Sequence, residues 1–209
     1  MSRMCRTRQL SQRQSVHRTT LVAGSGEAGL FHDPQLFDTT PSHRRSRPHK
    51  HYRSPSREVE ESVYLSKPIG AEAMIVERID SENNPIRIYD QLGVRIPMHI
   101  GAANKSMLAA MPRPQSESIL SQLLPSDKIP EFLQTLDQIK KQGYVTSHSE
   151  RTEGTSSIAV SIKDSLGQVI GAVSVGVVSF NLTEERLAFL TSKVIETGNN
   201  ISFRLRSNN

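Results

Sequence analysis

The chain has 209 residues, a hydrophobic fraction of 35%, one cysteine and a net charge of +5 at neutral pH. Such a length holds one domain and a surplus. The single cysteine, Cys5, excludes an intramolecular disulfide and a cysteine-based metal site. No apolar run reaches the roughly 18 residues of a membrane span, and the basic N-terminus lacks a signal-peptide core, so a soluble cytoplasmic protein is expected.

The charge is unevenly divided. Residues 1–57 hold eleven Lys and Arg against three acids, and residues 58–209 hold fifteen against eighteen. The first part is rich in Arg, His and Pro, has the cluster "PSHRRSRPHKHYRSPSR" and shows no sustained apolar periodicity. It reads as a disordered basic segment. A basic arm attracts phosphate without needing a fold, yet aromatics that could stack on bases are sparse: Phe31, Phe37 and Tyr52.

Residues 58–209 read as one α+β domain. "SREVEE" suits the end of an incoming helix. "SVYLSK" (62–67) alternates, with Val63 and Leu65 on one face and Tyr64 on the other. A Pro-Ile-Gly turn at 68–70 leads to a second strand, "EAMIVERI" (72–79). The turn cluster "SENNP" (81–85) precedes an expected third strand, "IRIYDQL" (86–92), with Ile86 and Ile88 in phase.

The next stretch is "RIPMHIGAANKSMLAAM" (95–111). Met107, Leu108 and Met111 fall on one side of a helix. Its entry, Gly101, Ala102 and Ala103, lacks Ser, Thr or Asp as a cap, with Asn104 a later candidate. The first N–H groups of a helix have no intrahelical partners. Donors without a cap, on backbone that carries almost no side chain, call for a reason.

"SESILSQLL" (116–124) is a short helix stopped by Pro125. Pro130 begins a longer one with Phe132, Leu133, Leu136 and Ile139 as its stripe and Gly143 as its stop. "YVTSHSE" (144–150), "TSSIAVSIKD" (155–164) and "QVIGAVSVGVVS" (168–179) are extended, with "DSLG" (164–167) as a hairpin turn. The last strand is apolar or small on both faces, as a central strand is. An amphipathic helix over 183–205 closes the chain, capped by Thr183 with Glu184 and Glu185 in its first turn. Six strands with helices packed on the sheet make a single core of ordinary size.

Four segments together, "ESVYLSKPIGAEAMIVERIDS", "IRIYDQLGVRIPMHIGAANKSMLA", "KKQGYVTS" and "SIAVSIKDSLGQVIGAVSV", resemble the effector-binding domain of IclR-type transcriptional regulators. The resemblance covers residues 58–209 and rests on several segments in matching order and spacing. It implies a GAF-like domain with a curved antiparallel sheet. It also implies a transcriptional regulator whose small-molecule effector, a small organic acid, biases assembly as a homodimer or homotetramer. The helix entry then has a role: the N–H groups of Ala102 and Ala103 favour an anion such as a carboxylate. Carried over by position, Ser147, Ser157, Ser174 and Gly176 face those donors, and Ile88, Ile96, Met98 and Met107 form the apolar wall. No cofactor is implied.

This sequence departs from the family in three ways. Residues 1–57 contain no recognisable winged helix-turn-helix. "SVHRTTLVAGSGEAGLF" comes nearest, and its glycines each cost roughly 1 kcal/mol relative to Ala in a helix. The break near residue 57 matches what a shifted reading frame would produce, and DNA binding is expected only where an intact helix-turn-helix is supplied. Asn104 stands where relatives often have Gly, and Ser147 and Gly176 stand where they often have an acid and Ser. With fewer acids, the pocket should welcome anions.

Plainer readings compete at several positions. Ala102 and Ala103 suit close helix–sheet packing. Lys105 suits a solvated helix residue, His99 a hydrogen-bonded loop histidine, and Ser157 and Ser174 the satisfaction of backbone groups. His148 with Glu150 is too few for a metal site, and none is expected. No "G-x-S-x-G", "GxxxxGK[ST]" or "GxGxxG" is present, and "GSGEAG" (24–29) follows no strand, so an enzyme is not expected. The alternative to a regulator is a stand-alone ligand-binding or dimerisation module that does not bind DNA specifically.

Overall fold

The computed structural model describes residues 59–207, residue 82 excepted. The basic segment read over 1–57 therefore lies outside the described residues. Six strands form one antiparallel sheet: β1 (Ser62–Ile69), β2 (Glu72–Ile79), β3 (Arg95–Pro97), β4 (Val145–His148), β5 (Thr155–Lys163) and β6 (Val169–Val178). Their order is β3-β2-β1-β6-β5-β4. The helices are α1 (Ala102–Ala110), α2 (Arg113–Leu120), α3 (Ile129–Gln142) and α4 (Glu184–Ser207). This is the expected α+β domain.

β6 lies between β1 and β5 at the centre of the sheet, which explains why it is apolar or small on both faces. One face carries Val63, Leu65, Ile158, Val160, Val173 and Val175 against Leu190, Val194 and Ile201 of α4. Contact there is close. A Cβ on Gly198 of α4 would stand 2.3 Å from Val160 Cγ2. α4 starts as expected, with the Arg186 N–H donating to Thr183 Oγ1 at 3.2 Å. A second apolar cluster gathers Met98, Met107, Leu108, Met111, Leu120, Leu133 and Leu136 among α1, α2, α3 and the opposite sheet face.

The β1–β2 and β5–β6 hairpins close on glycine with positive φ: Gly70 at 62° and Gly167 at 77°. In the second, Asp164 Oδ1 accepts the N–H groups of Leu166 and Gln168. α3 ends at Gly143, left-handed at φ 84°, whose N–H returns to the Ile139 carbonyl. α2 begins three residues before the expected start, because Pro114 sits comfortably in a first helical turn.

The expected third strand over 86–92 is not formed. The third strand is the short β3, and residues 86–91 run as irregular backbone. Ile86 is 58% exposed and Tyr89 64% exposed, while Ile88 turns inward. The two isoleucines expected in phase therefore part, because the segment lies across a sheet face with Ile88 in and its neighbours out, and no ladder holds it to a period of two.

Candidate functional site

A cavity of about 70 Å³ lies between the sheet face opposite α4, the start of α1 and the irregular segment between β2 and β3. Strand register builds its floor. Ser147 pairs with Ser157, and Ser157 with Gly176. In the adjoining row Ala159 pairs with Ser174, and Ser174 with Tyr64. Side chains alternate along a strand, so Ser174 and Gly176 face the same way, as do Tyr64 and Ser66. The Ser147 and Ser157 hydroxyls bond to each other at 2.8 Å.

The roof is the start of α1. Gly101 precedes the helix at φ 87°, and the first intrahelical bond runs from Lys105 N–H to Gly101 O at 3.1 Å. The N–H groups of Ala102, Ala103 and Asn104 come before that bond and have no intrahelical acceptor. No side chain caps them, so Asn104 is not the later cap that its type suggested. It is buried, and its Nδ2 donates to the carbonyls of Ile96 and Pro97 at 3.2 and 3.0 Å, which ties β3 to α1.

Eight of the ten residues expected at the site line this one cavity: Ile88, Ile96, Ala102, Ala103, Ser147, Ser157, Ser174 and Gly176. Met98 and Met107 do not. Both are fully buried in the cluster beneath α1, Met98 from the turn after β3 and Met107 from α1 itself, packed with residues of α2 and α3 and not in the cavity.

The mouth carries charges that the sequence reading did not place there. Asp90, Glu150 and Arg151 all line the cavity, so it does not lack acids. Arg151 Nη1 donates to Asp90 Oδ2 at 2.6 Å. Glu150 Oε2 accepts the Gly101 N–H at 2.8 Å, and its Oε1 pairs with Lys105 Nζ. Lys105 is therefore not a solvated residue, since only 13% of its side chain is exposed. Each acid is matched by a cation, so the mouth is close to electroneutral. The Arg151 stem lies over Gly101, its Cδ 3.6 Å from where a Cβ would stand. His99 also differs from expectation: its Nδ1 is buried without a hydrogen-bond partner, and burial lowers its pKa against the pull of Glu150.

Tyr64 and Ser66 were missed from sequence, although the alternation of β1 already placed them on one face. The Tyr64 hydroxyl donates to the Ile88 carbonyl at 2.6 Å. Burial first, and then nearby Asp90, push its pKa up to about 12, so it stays a donor. Ser66 brings a buried hydroxyl to the cavity. Among the described residues no three His, Cys, Asp or Glu side chains gather as a metal site would need, and no helix is long and apolar enough to cross a membrane.

Residues 45–203 match the family described as the bacterial transcriptional regulator IclR C-terminal domain. The chain is 34% identical over 156 residues to the HTH-type transcriptional regulator KipR of Bacillus subtilis, covering 71% of this chain and 62% of that protein. It is 30% identical over 152 residues to the HTH-type transcriptional repressor AllR of Escherichia coli, covering 69% of this chain and 56% of the relative. These matches span about six tenths of each relative's length. The C-terminal domain of E. coli KdgR superposes with a TM-score of 0.62 at 25% identity, covering 72% of this chain and 91% of that one. Thermotoga maritima IclR superposes with a TM-score of 0.64 at 23% identity, covering 73% and 64%. The relatives are named as regulators of transcription, not as enzymes. With a curved antiparallel sheet, a cavity under an uncapped helix start and a family match over three quarters of its length, the chain belongs to the IclR family and carries its effector-binding C-terminal domain.

Proposed function

We propose that residues 58–209 bind a small organic acid in the cavity under α1 and pass that occupancy to DNA control through a homodimer or homotetramer. One observation carries the reading: the unpaired N–H groups at the start of α1 and the hydroxyls of Ser147, Ser157 and Ser174 converge on a single cavity. Such a helix start favours a carboxylate, and a lining that sets Ile75, Ile88, Ile96 and Ile100 beside several hydroxyl groups suits a small polar molecule. The volume of about 70 Å³ suits an acid of only a few carbons. Each acid at the mouth already has a cation, so a monoanion enters without meeting unpaired charge.

The regulator acts in the cytoplasm, and specific DNA recognition depends on a winged helix-turn-helix, supplied where the family normally carries one. Ligand bias between assembly states is the mechanism by which the domain acts. A thermal-shift screen of small mono- and dicarboxylic acids tests the effector. A ligand at a hundredfold excess over Kd stabilises the folded state by about 2.7 kcal/mol. No stabilisation by any short-chain acid would leave the stand-alone dimerisation module as the better reading.

A further inference from the structure

The segment between β2 and β3 is held at two separate places. At one end, Asn84 Nδ2 donates to the Glu60 carbonyl at 3.1 Å and to Glu61 Oε2 at 3.2 Å. Glu60 and Glu61 are where the chain enters β1. Arg186 of α4 clasps the same point, pairing with Glu61 at 3.6 Å and bonding the Val59 carbonyl. At the other end, Ile88 and Asp90 line the cavity, and Asp90 is tied across its mouth to Arg151.

What lies between is held by side chains and not by a strand ladder. Asn84 Oδ1 accepts the Ile86 N–H at 3.0 Å and makes a tight local turn. Tyr64 of β1 holds the Ile88 carbonyl, and Arg78 of β2 bonds the Asp90 carbonyl at 2.6 Å with its guanidinium 3.7 Å from the centre of the Tyr89 ring. The backbone from Ile86 to Gln91 has no ladder bonds, and Ile86, Tyr89 and Leu92 are exposed. A segment fixed by a few side-chain bonds opens at low cost compared with the sheet beneath it.

We propose that residues 84–90 form a strap that transmits the state of the cavity to the point where the chain enters the domain. This rests on the reading that the effector occupies that cavity. A ligand that draws on Arg151 or displaces Ile88 moves the strap, and Asn84 releases or re-forms its hold on Glu60 and Glu61. Coupling of this kind is reciprocal, so loosening either end loosens the other.

Amide hydrogen exchange on the whole chain without any ligand tests the strap independently of the effector. Asp90→Asn weakens the tie to Arg151 and keeps the backbone carbonyl that Arg78 uses. It should accelerate exchange at residues 59–63 several-fold and leave α3 unchanged. Asn84→Asp keeps the acceptor for the Ile86 N–H but loses the donor and sets a like charge against Glu61. It should accelerate exchange at residues 88–91. Acceleration confined to each variant's immediate neighbours overturns the proposal, and so does equal acceleration in α3, which marks a general loosening. A strap that passes this test while no acid binds would indict the effector reading alone.

Discussion

Ile88 and Gly176 are complementary in size: a Cβ on Gly176 would stand 3.5 Å from both Cβ and Cδ1 of Ile88, and 3.3 Å from Cε2 of Tyr64. The glycine of β6 leaves room for the isoleucine that the neighbouring segment lays over it. Adding a hydroxymethyl group there crowds a ring already fixed by its bond to the Ile88 carbonyl. Gly176→Ser should therefore destabilise the domain by about 1–3 kcal/mol, the usual range for overpacking. Ile88→Ala should relieve part of that, giving a coupling above about 0.5 kcal/mol in a double-mutant cycle. Strict additivity in urea unfolding would show that the two side chains do not compete for space.

The roof of the cavity can be tested at a single atom. Ala102 and Ala103 both line the cavity, but Ala102 is fully buried with Val145 and Ala159, whereas Ala103 is only partly buried beside that cluster. Ala103→Val should abolish binding of whichever small acid stabilises the wild type, with the fold retained. Ser174→Ala should weaken binding by about 1.5–3 kcal/mol, the value of a hydrogen bond to a charged group. Titration calorimetry reads both, and unchanged affinity in Ala103→Val would place the site elsewhere.

His99 gives the domain a pH dependence of known sign. Burial holds its pKa below the ordinary 6.5. The folded state therefore binds fewer protons than the unfolded one, and the stability this confers is complete above 6.5 and lost as pH falls through the lowered value. Burial raises the pKa of Glu61 and Glu77, and stability from those groups is lost in the opposite sense, as pH rises from 4.5. Comparison with His99→Gln removes their contribution. Between about pH 7 and about pH 5 the wild type should lose more stability than the variant. Parallel urea midpoints would show that the ring stays neutral or is equally solvated in both states.

DNA binding by this chain should be weak, strongly salt-dependent and nearly indifferent to sequence. Residues 1–57 supply the excess of positive charge, and residues 58–209 hold more acids than bases. Filter-binding or shift assays over a salt series measure the slope. Preference for one operator over random DNA by more than about a thousandfold, the scale of specific binders, would sink this expectation.

Period-two alternation and turn chemistry made most of the sheet legible in the sequence. Val63 and Leu65 face α4, Tyr64 faces the cavity, and Gly70, Gly143 and Gly167 stop their elements where expected. The shared face of Ser174 and Gly176 was legible from the same alternation, whereas Ser147 and Ser157 came to the site only through the family resemblance, since alternation does not fix register between strands. What failed was where periodicity has two physical causes. Ile86 and Ile88 are in phase in the sequence yet part in the structure, Ile86 outward and Ile88 inward, since no ladder imposes a period of two on that segment. Met98 and Met107 have the chemistry of a pocket wall, but whether an apolar side chain enters a pocket or the core beside it is decided by tertiary packing. The pairs Asp90–Arg151 and Lys105–Glu150 are 61 and 45 residues apart, a separation at which no local pattern operates.

The sheet tapers at both margins. Its four inner strands have eight to ten residues, whereas β3 has three and β4 has four. Beyond the end of β4, the Ser202 hydroxyl of α4 accepts the Lys163 N–H of β5 at 3.1 Å. An incoming strand from another molecule thus finds only a few free backbone groups on either side, too short a template for fibril-like growth. A molecule with margins of this kind can be held at high concentration without offering its neighbours a backbone ladder to extend.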